Sequence, residues 1–394
     1  MASGEQVTVM EAPSAAAARG ATRAAPRLQS LDVLRGLTVA IMIMVNTSGD
    51  GAHTYRFLVH SRWNGCTLAD VVFPCFLFMV GISSVFSVSS RLAQGASRSQ
   101  ILTQAARRTL IIFALGLLVN SFPTFPLHTL RVFGVLQRIA LCYFTTVLFL
   151  VWGSTRTIAV SLFTILLGYW VLLRWVPVPG LGTPGIGIPF LDPFANLPAW
   201  LDRHLLPARH LYHQGFYDPE GLLSSIPAVA STLVGALAGK WIRGNRIPLA
   251  TAHGLLLAGC FSLVAGFLWS HWFPLNKRLW TSSFVLWTSG INLLALWFFY
   301  RLIDIRHRGR LWTYPAKVFG VNALTAYVVS ELLASLLGSV RLPSGQSLQR
   351  GLFHPFALFI PNPAIAALAY AIAFVAVCFI PPWILYRKRV FLKV

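Results

Sequence analysis

The side chains best able to do chemistry in this 394-residue chain collect in one short stretch. Asn46-Thr47-Ser48-Gly49-Asp50 is followed by His60-Ser61-Arg62-Trp63-Asn64-Gly65-Cys66-Thr67-Leu68-Ala69-Asp70. An imidazole can act there as general base or nucleophile, a carboxamide can donate to a developing oxyanion, and a carboxylate can orient the imidazole. Each has a plainer reading. Thr67-x-x-Asp70 fits a helix start, with Thr67 as N-cap and Asp70 in the first turn. Asn46-Thr47-Ser48 reads as a glycosylation sequon, and His60 is one of ten histidines.

The elements that must position these groups follow from composition. Hydrophobic residues make up 56% of the chain and charged residues only 11%, less than half the share usual in soluble domains. Ten apolar runs near 32–48, 67–90, 107–122, 133–152, 157–176, 219–241, 248–270, 280–302, 315–338 and 363–386 are each long enough, or nearly so, to cross a bilayer as a helix. They are continuous and not alternating, which excludes a β-barrel. The fold class expected is an all-α polytopic membrane protein of about ten transmembrane helices. A soluble enzyme, a disulfide scaffold and a disordered chain are excluded. The five cysteines show no CxxC or metal spacing. His210 and His213 stand three apart without a third ligand, so no metal is expected.

The formal charge of +21 would suit a nucleic-acid partner, but the bases do not form a stripe. They sort by side of the membrane instead. With the amino terminus inside, 21 of the 32 Lys and Arg fall in inner segments, which makes both termini cytoplasmic. This orientation puts Asn46, His60 and Asp70 at the outer ends of the first two spans. Residues 1–29 read as a disordered cytosolic tail and 30–394 as the transmembrane domain. Within it, 177–218 forms an extracytoplasmic loop that could lid the site. Gln137 and Arg138 lie early in the fourth span, and Asp218-Pro219-Glu220-Gly221 opens the sixth. Asn292, Asn322 and Glu331 should point into the bundle, since polar groups at membrane depth turn away from lipid. Asp32 and Arg35, three apart, form a local ion pair.

Several stretches together resemble the heparan-α-glucosaminide N-acetyltransferase family. They are Leu31-Asp32-Val33-Leu34-Arg35-Gly36, Asn46, His60 to Gly65, Ala69-Asp70-Val71-Val72-Phe73-Pro74 and Gly134-Val135-Leu136-Gln137-Arg138. Tyr217-Asp218-Pro219-Glu220-Gly221, Asn276-Lys277-Arg278-Leu279-Trp280 and Leu385-Tyr386-Arg387-Lys388-Arg389 complete the set. The resemblance implies acetyl transfer from cytosolic acetyl-CoA, across the membrane, to the amine of a terminal glucosamine. It places the active-site histidine on His60 and the catalytic asparagine on Asn46. Asp70 is expected to hold the imidazole tautomer, and the route is either direct attack or an acetyl-His60 intermediate. Acceptor contacts are expected from Trp63, Asn64, Gln137, Arg138, Asp218, Glu220 and Lys277. The CoA phosphates are expected at Arg35, Arg107, Arg108, Lys240 and Lys317, on charge complementarity. Lysosomal members carry a further amino-terminal luminal domain and span. The tail before residue 30 offers no counterpart, so the bacterial members and a bacterial inner membrane are the expectation. Expected partners are the lipid bilayer, acetyl-CoA and an amino-sugar or oligosaccharide acceptor, with a homodimer left open and nucleic acid not expected. The rival from another class is a sugar or amino-sugar permease, which predicts discontinuous helices in paired halves.

Overall fold

A computed structural model describes residues 28–212, 215–244, 247–309 and 311–391. Its α-helices in chain order are α1 (Gln29–Asn46), α2 (Leu68–Ala93), α3 (Arg98–Ser121), α4 (Val135–Trp152), α5 (Thr155–Trp175) and α6 (Leu197–Leu205). There follow α7 (Leu222–Arg243), α8 (Pro248–Trp269), α9 (Ser282–Phe299), α10 (Thr313–Val321), α11 (Ala323–Ser339), α12 (Leu348–Phe359) and α13 (Pro363–Arg387). A π-helical turn carries α9 on to Ile305. Among the described residues, nine helices are long and apolar enough to cross a membrane. The protein is an all-α polytopic membrane protein. Each of the first eight expected spans, and the last, meets one of these nine helices. The amino-terminal tail to residue 27, His213, Arg246, Arg310 and Lys393 lie outside the described residues.

Two elements differ from the sequence expectation, for local reasons. Helix α3 starts nine residues before the apolar run because Ser97 caps it. Its hydroxyl accepts from the Gln100 N–H at 3.2 Å, and the Gln100 side chain accepts from the Ser97 N–H at 2.8 Å. This reciprocal pair satisfies two end donors and makes helix of a polar stretch that hydropathy passes over. The ninth span is not one helix. Asn322 adopts φ −117°, ψ 42°, and α10 and α11 diverge there by 84°.

Close approach holds the centre together. Apolar burial gives helices little drive to associate in lipid, so packing depends on small residues that admit a neighbour's backbone. A Cβ on Gly36 of α1 would meet the Ala316 carbonyl of α10, and one on Gly320 would meet the Asp32 carbonyl. Helices α2 and α7 cross the same way, through Gly81 against the Thr232 carbonyl and Gly235 against the Phe78 carbonyl. A buried core of Phe73, Leu77, Leu166, Leu233, Trp280 and Phe284 fills the space beside that crossing.

The result has two dissimilar ends. At one, the end of α1 and the start of α2 meet α11 and the connections before α4, α7 and α9. At the other, both described chain ends reach α10. The Lys317 Nζ donates to Gln29 Oε1 at 2.8 Å, and the Asn322 amide to the Val390 carbonyl at 3.4 Å.

Candidate active site

The site is built on the first turn of α2. Asp70 is fully buried there, and its Oδ2 accepts from the backbone N–H of Thr67 at 3.0 Å, the N–H of Ser61 at 3.0 Å and the Thr67 hydroxyl at 3.1 Å. The capping expected of Asp70 is therefore present, and it consumes only one carboxylate oxygen. The other, Oδ1, lies 2.9 Å from His60 Nδ1. An ionised carboxylate only accepts, so Nδ1 carries the proton and Nε2 is left with a free lone pair. The single Thr67 hydroxyl proton is shared with the Val59 carbonyl at 2.8 Å, tying the His60 loop to the helix that orients the ring.

A lysine stands beside this pair. Lys277 Nζ is 3.1 Å from His60 Nδ1, 3.4 Å from Nε2 and 3.6 Å from Asp70 Oδ1. Nδ1 has one proton and gives it to Asp70, so the ammonium cannot donate there and lies against Asp70 as its ion-pair partner. Burial lowers the Lys277 pKa, against the opposing charges of Asp70 and Glu220. The turn carrying Lys277 is held by Asn276. Its side-chain oxygen accepts from the Leu279 N–H at 2.9 Å, and its amide donates to Asn64 Oδ1 at 3.1 Å. Cys66 nearby is no nucleophile, because burial pushes its thiol up to about 12.

Asn46 closes α1, and its Nδ2 donates to Glu331 Oε1 of α11 at 2.8 Å. The bend at Asn322 sets the course of the helix that carries Glu331. A cavity of about 370 Å³ brings together Asn46, His60, Asp70, Glu220, Lys277 and Glu331. Asn120, Arg131, Tyr212, Arg278 and Tyr327 complete its polar wall, while Met42, Phe73, Phe76 and Trp280 line its apolar side. On the cavity wall, Arg131 binds Asp218 through Nε at 2.9 Å and an amino group at 2.5 Å, also bonds Glu220, and lies 4.7 Å from the Tyr212 ring centroid. Burial opposes charge on Glu220, but Arg131 and Arg138 outweigh it and hold that carboxyl below its ordinary value. Behind them, burial pushes Asp202 of α6 up to about 6.

The other expected acceptor residues sit away from the cavity wall. Trp63 donates from Nε1 to the Leu191 carbonyl at 2.8 Å and packs edge-on to Tyr217, so it anchors the 177–218 segment. Asn64 acts on Asn276, as above. Arg138 is buried 5.1 Å from the Trp280 ring centroid and bonds Ser224 and the Gly221 carbonyl. Gln137 is buried against Gly116 and Gly134. Asp218 reaches the site through Arg131. Of the aromatics in the 177–218 segment, Trp200 stacks on His204 and Tyr212 lines the cavity. His210 Nδ1 is 2.7 Å from the Leu130 carbonyl, an ordinary hydrogen bond.

The expected CoA contacts lie at the opposite end. Arg35 is 3.5 Å from Asp32 and donates to Ser83 at 2.7 Å and to the Gly320 carbonyl at 3.3 Å. Ser83 is thirteen residues along α2 from Asp70, about 20 Å at 1.5 Å per residue. Arg107 and Arg108 are exposed on α3, with Arg108 4.8 Å from the Tyr143 ring centroid. Lys240 and Lys317 are half-buried on α7 and α10.

Sequence reasoning named Glu331 only as an inward-facing residue and did not single out Arg131, Arg278, Asn120 or Tyr327. Among these, Glu331 carried a signal as a carboxylate inside an apolar run, and Arg278 as part of a stretch that carries the resemblance.

Comparison with known proteins bears on this arrangement. A family model described as heparan-alpha-glucosaminide N-acetyltransferase, catalytic, matches residues 27–264. The protein of that name from Homo sapiens is 30% identical over 426 aligned residues, covering 94% of this chain and 60% of its own length. That from Mus musculus is 29% identical over 427, covering 94% and 61%. The chain thus spans about three fifths of the length of these curated relatives.

Proposed function

This chain belongs to the heparan-alpha-glucosaminide N-acetyltransferase family, and from that premise we propose that it is a transmembrane acyltransferase. It moves an acetyl group from cytosolic acetyl-CoA to the amine of an amino sugar on the other side of the membrane. The observation that carries the reading is the cavity in which a carboxylate-oriented imidazole and Asn46 converge, at the end of the bundle away from Arg35.

In this reading His60 Nε2 takes a proton from the amine as its nitrogen attacks the thioester carbonyl. Asp70 keeps the Nδ1 proton in place and stabilises the imidazolium that forms. The carbonyl oxygen gains charge and is met by Lys277 and by the Asn46 N–H not given to Glu331. The C–S bond then breaks, and the imidazolium returns its proton to the CoA thiolate. An acetyl-His60 route would use the same free Nε2. Rapid quench with labelled donor alone separates the two, since no label on His60 leaves direct transfer.

The expected orientation, with both termini cytoplasmic in a bacterial inner membrane, supplies the compartments. The CoA phosphates meet Arg35, Arg107, Arg108, Lys240 and Lys317 at the cytosolic end. The cavity reaches down to Met42, which is seven residues, about 10 Å, from Arg35 along α1. The pantetheine arm has to cover that gap between α1, α2 and α10, so the acyl group reacts below the surface of the bundle.

The test is a proteoliposome holding labelled acetyl-CoA inside and glucosamine outside, with His60→Ala alongside wild type. Labelled N-acetylglucosamine outside, from wild type alone, is the expected result. Glucosamine entering without acetylation would make the protein a permease and end the proposal.

A further inference from the structure

Three carboxylates line the cavity, and they are not equally matched. Asp70 faces His60 and Lys277, and Glu220 faces Arg131. Glu331 has no lysine, arginine or histidine in ion-pair contact among the described residues, and its hydrogen-bond partner is the neutral amide of Asn46. It sits on α11 eight residues before Ser339, about 12 Å from that end of the helix. A carboxylate at such depth is costly to hold ionised, and the usual remedy is a paired cation. The protein supplies that cation to two of its cavity carboxylates and withholds it from the third. The third is also the one bonded to Asn46.

We propose that Glu331 is the acceptor-recognition residue, binding the substrate amine as its ammonium and thereby selecting amino sugars over their hydroxyl counterparts. This rests on the acyltransferase reading and deepens it. Asn46 hands one N–H to Glu331 Oε1, which fixes the carboxamide and leaves Oε2 for an ammonium entering beside it. The remaining charges on the cavity wall are engaged. Arg131 is bound to Asp218 and Glu220, Arg278 to the Tyr217 hydroxyl, and Lys277 lies against Asp70 and His60. An ammonium docked at Glu331 is therefore drawn to the Asn46 side of the cavity and away from Lys277. A hydroxyl in the same place would leave the carboxylate without a counter-ion. The bound ammonium first gives one proton to water in the open cavity, and His60 Nε2 takes the second as the C–N bond forms, so Glu331 contributes to affinity and choice of acceptor, and His60 to the chemical step.

The experiment compares glucosamine with glucose as ligands and as acceptors, using wild type, Glu331→Gln and Glu331→Asp in full-length protein. Wild type is expected to bind glucosamine in preference to glucose, measured by calorimetry with acetyl-CoA absent. Glu331→Gln should erase that preference and raise KM for glucosamine about 10- to 100-fold, the range for losing one charged hydrogen bond. KM for acetyl-CoA should stay within about twofold, because the CoA phosphates are bound at the opposite end of the bundle. Glu331→Asp, which keeps the charge, should restore part of the preference. It also decides the matter if the Gln variant does not fold. An unchanged glucosamine KM in Glu331→Gln would overturn the proposal, as would equal binding of the two sugars by wild type. Absence of any N-acetylglucosamine from wild type would end the acyltransferase reading instead, while the binding comparison still decides on Glu331.

Discussion

The two ends of this bundle hold their charges in opposite ways. At the His60 end, carboxylates and bases are locked together: three donors converge on one oxygen of Asp70, and Arg131 bridges Asp218 and Glu220. At the Arg35 end, the candidate bases are spread over four helices, and two of them stand exposed on α3. Fixed dipoles and paired charges stabilise a reaction because they need not reorganise when charge develops. Spread, hydrated bases attract an anion over a distance and hold it through several weak contacts. On the proposed acyltransferase reading, one end is organised for bond making and the other for retaining a multiply charged leaving group.

The largest expected effect tests the organised end. His60→Ala should lower kcat for acetyl transfer about 1000-fold, within the range for removing a general base, while leaving acetyl-CoA affinity unchanged. A comparable loss of donor affinity would mean that the two ends are not separate. Asp70→Asn should be next, at about 100-fold in kcat, because an amide can turn a donor toward Nδ1 and stabilise the wrong tautomer. This change also weakens the cap on α2, so its circular-dichroism melt should fall. Wild-type kcat in Asp70→Asn would remove the carboxylate from the mechanism and leave it as a helix cap.

The sequence was informative where one residue type in one run decides the structure, and silent where distant segments decide it. The spans follow from unbroken Leu, Val, Phe and Trp runs, whose burial does not depend on the partner helix. The break at Asn322 is different. Phe319-Gly320-Val321-Asn322-Ala323-Leu324 reads as part of one apolar helix, and it takes the Gly36 and Gly320 contacts between α1 and α10 to show how closely α10 must pack. His60 and Asp70 were legible as a pair because ten residues separate them. The Asn46–Glu331 bond spans 285 residues and the Lys277–His60 approach 217, so no local pattern records either. Motif membership by itself does not fix a residue's place relative to the cavity. Trp63, Asn64 and Arg138 belong to the stretches that carry the resemblance, yet they pack the walls behind the cavity.

A smaller effect tests the diffuse end. Changing Arg35, Arg107, Arg108, Lys240 and Lys317 together to Gln should raise KM for acetyl-CoA about tenfold and flatten its dependence on salt, with kcat little altered. Screened, cooperative attraction predicts that any one of the exposed pair alone contributes little. Loss of the whole donor affinity through Arg107→Gln alone would show instead that this end holds a single built phosphate site.

The smallest effect is on stability and again separates the ends. Asp202 is buried behind Asp218, and burial pushes its carboxyl from the ordinary 3.8 up to about 6. A folded-state pKa raised above the unfolded one means that this residue's contribution to stability is full below about pH 4. It is lost as pH rises through 6, by about 3 kcal/mol at most. Asp202→Asn has no such titration and keeps an oxygen for the Asp218 N–H, which Asp202 Oδ2 meets at 3.1 Å. The unfolding midpoint of the variant minus that of wild type should therefore grow between pH 4 and 7 and stay level beyond. A difference that does not change with pH would show that Asp202 is ionised throughout, held by the charges of Arg138 and its neighbours against its burial.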